Sequence, residues 1–395
     1  MITGRALLAR LACVERGLGE GVQDARAARA LSRARAAHRM LSDPTRQRET
    51  ARRLILAGLQ TETSRLECKI NGAALRRYVQ RAGPEADVMQ YDKRGNPRGT
   101  LREMAEAFAG RMGGREAVQL PYQHALLGAE LVGAGFVCAS REYVRGGAAD
   151  PFRLPKAIRA VAFTRRGRDM DDSASYPRAC LDVFRAGRAE SMQFLAHRED
   201  ILAGLGLFYF GSSVPVKVRR ERVKQMFNSL DNDGTVRGWR ARNAIPDGTA
   251  PLAEARVALG NGEVFDLRAY EQSRADLTEE FERRMPGMTE FVRDWMQARG
   301  DPRVRTAGVT AKSYFLQEAE ALSRRAKVEW AALRGDVPVT NLQHDGVIMM
   351  TERSRSQLQA ALSEACSAAL GYEQPVEEKE FDAGVSDSGS DSDSD

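Results

Sequence analysis

Apolar and polar positions along this chain alternate at two periods, and the sharpest change of period lies between residues 337 and 350. Val337 and Val339 lead into Asn341-Leu342-Gln343-His344-Asp345-Gly346, and Val347-Ile348-Met349-Met350 lead out. Apolar β-formers around a polar knuckle predict strand, sharp turn and strand, with one acid at the bend. Gly346 has access to backbone angles that residues with a Cβ avoid, so the chain can reverse while Asp345 points outward. Residues 167–173 predict a second strand, followed by a helix opening near Pro177, since proline suits a first helical turn. A β-leaning stretch at 136–144 precedes the Gly146-Gly147 loop, and 92–99 reads as a turn or loop.

Helical spacing dominates elsewhere. Residues 1–60 are rich in Ala, Arg and Leu and read as helix, with a break at Asp43-Pro44; 101–112 and 190–205 are helical segments, and 125–134 is a further apolar one. A strongly cationic helix is predicted over 214–230, stopped by Asp231-Asn232-Asp233-Gly234. Further helices are predicted at 289–299, 311–333 and 354–370, with Gly371 placed to end the last one. Residues 235–285 show no clear period.

At 395 residues and 43% hydrophobic content the chain can bury the cores of two or three subdomains, while 29% charged residues leave much of it solvated. The net charge of +6 hides an asymmetry, because the stretch from Val376 onward is acidic and the body is distinctly basic. That favours a polyanionic partner. Arg26, Arg29 and Arg33, followed by Arg35 and Arg39, form a cationic stripe that reads either as a solvated face or as a contact with a nucleic-acid backbone. Cysteines 13, 68, 138, 180 and 366 are scattered, without a CxxC, and point to a reducing compartment rather than a structural zinc. No apolar run reaches membrane-spanning length, so no membrane partner is expected; an intracellular site, nuclear or viral, is, and the Arg- and Ala-rich start leaves an organelle address open. The Ser-Asp run at 386–395 has nothing to bury and is expected to be disordered.

Three stretches carry candidate chemistry. Asp171, in Asp169-Met170-Asp171-Asp172-Ser173-Ala174-Ser175-Tyr176-Pro177-Arg178, and Asp345 are carboxylates on separate predicted strands, which can together hold two Mg²⁺ ions about 4 Å apart. Mg²⁺ accepts so few protein ligands because water and substrate phosphates complete its shell. Arg220 and Lys224, four residues apart on the cationic helix, share a face that can grip a triphosphate, and Lys217 extends it by a turn. Each stretch alone also reads as turn chemistry, a polar loop or a solvated basic helix.

Taken in order, they resemble motifs A, B and C of template-dependent polymerases, most closely the family A DNA polymerases and their relatives in transposons and virophages. Asp171, Ser173 and Arg178 carry the likeness to motif A; Arg220 and Lys224, with Gly234 downstream, to motif B; and Gln343-His344-Asp345 to motif C. Tyr314-Phe315-Leu316-Gln317-Glu318-Ala319-Glu320 and Leu154-Pro155-Lys156-Ala157-Ile158-Arg159 are similar to the mobile-element branch. The resemblance covers roughly residues 140–382 and implies an α+β right-hand polymerase, with an antiparallel palm sheet and helical fingers. The divisions expected are a helical, basic region at 1–140, possibly a thumb, palm at 141–213 and 335–382, fingers at 214–334 and an acidic tail at 383–395. It implies Asp171 and Asp345 as catalytic metal ligands, assisted by the Asp172 carbonyl, for two Mg²⁺ that Mn²⁺ can replace. Arg220, Lys224, Tyr176 and Asn228 would contact a dNTP, with Tyr176 colliding with a ribonucleotide 2′-hydroxyl; His344, Gln317, Arg178 and Arg159 would contact DNA template-primer. Two departures stand out: Gly346 where family A usually has another acid, and Asn232-Asp233 in place of a Tyr-Gly pair. An RNA polymerase, primase or reverse transcriptase of the same palm type, and an inactive nucleic-acid-binding palm, remain as alternatives.

Overall fold

The computed structural model describes residues 64–379, apart from 92–96, 114, 134–141, 145–153, 164–166, 233, 247–249 and 344. The arginine stripe, the break at Asp43-Pro44, His344 and the acidic tail therefore lie outside the described residues. The chain mixes helices with small antiparallel sheets.

The first part runs β1 (Ser64–Lys69), α1 (Gly72–Arg81), β2 (Met89–Tyr91), β3 (Pro97–Thr100), α2 (Leu101–Met112), β4 (Ala117–His124), α3 (Leu126–Gly133) and β5 (Glu142–Val144). This corrects the expectation of an all-helical N-terminal region: from residue 64 it carries a three-stranded sheet in the order β1-β4-β5 and a β2-β3 hairpin. The signal was a short period-2 pattern, with Leu66 and Cys68 on β1 facing Leu120 and Val118 across the ladder between charged neighbours. Helix α2 starts where Thr100 and Glu103 form a reciprocal capping box, and Gly113 ends it in the left-handed region.

Next come α4 (Lys156–Ala162), β6 (Gly167–Asp172), α5 (Ser175–Val183), α6 (Arg188–Ala196), α7 (Arg198–Phe210), α8 (Val216–Asp231) and α9 (Val236–Arg242). The single helix expected at 190–205 is broken at His197, whose ring lies 3.3 Å from Asn261. The stretch without a clear period resolves into the hairpin β7 (Arg256–Ala258) and β8 (Val264–Asp266), then α10 (Leu267–Arg284). The remainder is α11 (Pro286–Ala298), α12 (Ala307–Ala332), β9 (Val339–Leu342), β10 (Val347–Met350), α13 (Arg355–Leu370) and β11 (Val376–Lys379).

Strands distant in sequence meet in a four-stranded antiparallel sheet, β11-β6-β10-β9. One face, with Met170, Val347, Met349 and Val376, packs on Leu358, Leu362 and Cys366 of α13 and on Trp330 of α12 in a single core. The two larger sheets are tied edge to edge: the Lys69 amide donates to Thr340 Oγ1 at 2.7 Å, and the Leu342 amide to the Tyr122 hydroxyl at 3.0 Å. A second core joins α5, α11 and the first half of α12, and a third lies among α6 to α10. Helix α12, with 26 residues and so about 39 Å long, reaches from the second core into the first.

Candidate functional site

Strand alternation decides which side chains of β6 face away from the core. Met170 points in, so Asp169 and Asp171 point out, and across the ladder Lys379 and Glu377 of β11 stand opposite them. On the other side Val347 pairs with Met170; continuing that register puts Gly346 beside Asp171 and Asp345 beside Asp172. The approach is close: a Cβ built on Gly346 would lie 2.7 Å from Asp171 Oδ1 and 2.9 Å from the Met170 carbonyl. This corrects the reason expected for the glycine. Gly346 has no positive φ; what excludes a side chain there is contact between the two acid-bearing segments. Asp171 is 2% exposed, and its Oδ2 pairs with the Lys379 ammonium.

The opposite wall is helical. On α8, Val223, Met226, Phe227 and Leu230 are buried, so the stripe Lys217, Arg220, Lys224, Asn228 faces outward at helical spacing. Arg220 is held by a bidentate bond to Glu199 of α7, with Nε and Nη2 each 2.7 Å from a carboxylate oxygen. That bond holds the Glu199 carboxyl below its ordinary range and pushes the Arg220 guanidinium up. Behind the wall, Asp231 accepts from the Tyr270 hydroxyl at 3.1 Å and pairs with Arg274, which also donates to Ser191 at 2.7 Å. This buried network stitches α6, α8 and α10 together.

Floor and wall enclose a cavity of about 870 Å³. The structure brings Asp171, Asp172, Asp345, Arg220, Lys224, Tyr176, Asn228 and Arg159 to its lining. Two predicted contacts lie elsewhere. Arg178 lies off the lining, its Nε donating to the Ser173 carbonyl at 3.2 Å, and partial burial pulls its guanidinium down. Gln317 lies off the lining, 3.4 Å from Ser313. Ser313 in turn lies 3.3 Å from Asn232, which does line the cavity.

Could the floor hold a divalent cation? Among the described residues no group of three or more His, Cys, Asp or Glu converges as a fully protein-ligated site would. Asp171 Oδ1 and Asp172 Oδ2 are nevertheless buried without a hydrogen-bond partner among the described residues. Uncompensated buried carboxylate oxygens are costly, and Mg²⁺ is commonly held by one or two carboxylates with substrate phosphates. The residues present therefore fit an Mg²⁺ shared with a phosphorylated substrate. The other oxygen of Asp172 is already occupied: Lys327 lies 2.5 Å away and Ser323 donates at 2.8 Å. Burial pushes the Asp172 carboxyl up, Lys327 opposes that, and the nearby Asp345 charge adds to it.

Sequence reasoning missed Glu199, Lys327, Lys379 and Glu377. Lys327 had a signal, a lysine on the buried side of α12 in line with Ser323 and Trp330. Glu199, 21 residues from Arg220, had none. Ala174, at φ 51°, puts a left-handed bend between the acid strand and α5 that an alanine does not advertise.

No family model matches this chain, and no curated protein does. Among solved structures, it is similar to the POL domain of Pol1 from M. smegmatis in complex with DNA primer-template and dNTP, at TM-score 0.40 and 14% identity over 72% of this chain. The chain spans about half of that one, 51%. A likeness at this level carries no argument about this chain. No helix among the described residues is long and apolar enough to cross a membrane.

Proposed function

We propose that this chain is a template-directed DNA polymerase, adding dNTPs to a primer 3′ end by two-metal-ion nucleotidyl transfer. The observation that carries the reading is the meeting, in one cavity, of two acid-bearing segments 174 residues apart in sequence and a cationic helix stripe. Asp171 and Asp345 would hold the Mg²⁺ ions, which supply a sharpened sugar hydroxyl and take up charge on the leaving pyrophosphate. Arg220 and Lys224 would bind the triphosphate, Tyr176 would exclude a 2′-hydroxyl, and Arg159 would contact the primer-template; all four line the one cavity. The setting we favour is replication of a mobile element or virus, on the stretches at 154–159 and 314–320. The close approach of Gly346 to Asp171 supports reading the glycine as a packing requirement rather than as a lost acid.

The test is primer extension on DNA and RNA templates, with dNTPs or rNTPs and Mg²⁺ or Mn²⁺, beside Asp171→Asn. Extension with dNTPs that this variant abolishes is expected, and Tyr176→Ala should raise rNTP use. Nucleic-acid binding without extension under any of these conditions would leave only the inactive-palm reading.

A further inference from the structure

Helix α12 touches the acid floor through three side chains within little more than one turn, and their targets lie on both acid-bearing segments. Lys327 is fully buried; its Nζ lies 2.5 Å from Asp172 Oδ1 at the end of β6 and donates to the Asp345 carbonyl at 2.5 Å. Ser323, one turn earlier, donates to the same Asp172 oxygen. Arg324, also buried, donates to the Gln343 carbonyl at 3.3 Å and pairs with Glu142 at 2.7 Å. The turn that carries Asp345 is thus gripped on two of its backbone carbonyls by cations from a single helix.

Stability alone does not call for an ion pair at this place. Around it α12 packs Ala326, Trp330 and Ala331 into the apolar core. A buried ion pair in such a place is often no more stabilising than well-packed apolar side chains. What an apolar residue could not do is bond the Asp345 carbonyl and the Asp172 carboxylate with one fixed head group. The contact of Gly346 with Asp171 leaves the turn little freedom in the other direction, so Lys327 closes the remaining one.

We propose that Lys327 is a positioning residue: by joining the end of β6 to the Asp345 turn, it sets where the Asp345 carboxylate stands relative to Asp171, and thereby the affinity of the floor for a divalent cation. This rests on the polymerase reading of the floor. Lys327 touches no substrate; it acts through Asp345. Removing the outer partner of a metal ligand commonly weakens metal binding by about 10- to 100-fold, and a loss in that range is the expectation here.

The test titrates the full chain with Mn²⁺ alone, following the paramagnetic signal of the free ion, with folding checked by circular dichroism and thermal melting. Asp171→Asn and Asp345→Asn define the site. Lys327→Met removes the grip but leaves a buried carboxylate, so Lys327→Met combined with Asp172→Asn is the decisive variant, read against Asp172→Asn alone because Asp172 is itself a candidate ligand. A folded double variant that binds Mn²⁺ about 10- to 100-fold more weakly than Asp172→Asn alone is expected. Equal Mn²⁺ affinity in the two would show that Lys327 only compensates Asp172, and would overturn the inference while leaving the polymerase reading intact. Loss of folding in both variants would overturn it too, because the role would then be structural. If wild-type chain binds no Mn²⁺ that the Asp171 and Asp345 variants abolish, the floor is not a metal site and both readings fall.

Discussion

The two sides of the cavity hold charge in different ways. On the floor, Asp171 and Asp172 are nearly inaccessible, their strand is laddered on both edges, and Lys327 is sealed behind them. On the wall, Lys217 is exposed, Arg220 and Lys224 are half-buried, and Arg220 is kept in place by one rim pairing with Glu199. Backbone ladders set distances to a fraction of an ångström; long side chains on a helix can follow a substrate as it arrives. The contrast suits a site whose acid geometry is built in advance and whose cationic grip adapts.

The strongest way to break this comparison is at the floor. Asp345→Asn should lower nucleotidyl transfer about 10³-fold in single-turnover assays with folding intact, since metal-based charge stabilisation is worth several kcal/mol and 1.36 kcal/mol is a factor of ten. At the wall the effect should be smaller and of another kind. Arg220→Ala should raise the KM for dNTP by about 10- to 100-fold with less change in kcat, because charge-assisted hydrogen bonds contribute about 1.5–3 kcal/mol. An equal fall in kcat would mean that the wall is as preorganised as the floor. Gly346→Ala drives a methyl into the Met170 carbonyl and the Asp171 carboxylate, and should cost about 1–3 kcal/mol in denaturant unfolding. Unchanged stability would show that the floor can yield after all.

The smallest effect concerns the aromatic core behind the wall. Burial pushes the Tyr209 hydroxyl up to about 12. The unfolded chain therefore loses this proton near pH 10 while the folded chain keeps it, so the stability is complete below pH 10 and falls as pH rises toward 12, by at most about 3 kcal/mol. Tyr209→Phe should flatten that part of the alkaline unfolding curve. Because its hydroxyl has no hydrogen-bond partner among the described residues, neutral-pH stability should change little.

The parts of the site legible in the sequence are those with local signals. The 337–350 segment announces itself by β-formers around a polar turn, the α8 stripe by spacing, and α13 by Ser354 and Gly371 at its ends, where the structure has a capping box and a left-handed stop. The strand at 64–69 was hidden because its partner lies about 50 residues on and its outward positions are charged. Pairings such as Glu199 with Arg220 depend on how two helices are set side by side, which no periodicity encodes. Arg178, singled out for its place seven residues after Asp171, donates to the Ser173 carbonyl, a local contact that no periodicity encodes either.

The Glu199 carboxylate already seated on Arg220 gives the cavity a threshold. An incoming anion is weighed against a resident carboxylate rather than against water, so a lone carboxylate gains nothing by the exchange. A triphosphate that reached Lys224 and Lys217 as well would bring more charge than the group it displaced. On the proposed reading, selectivity for polyphosphates over small anions would be a by-product of the Glu199 pairing.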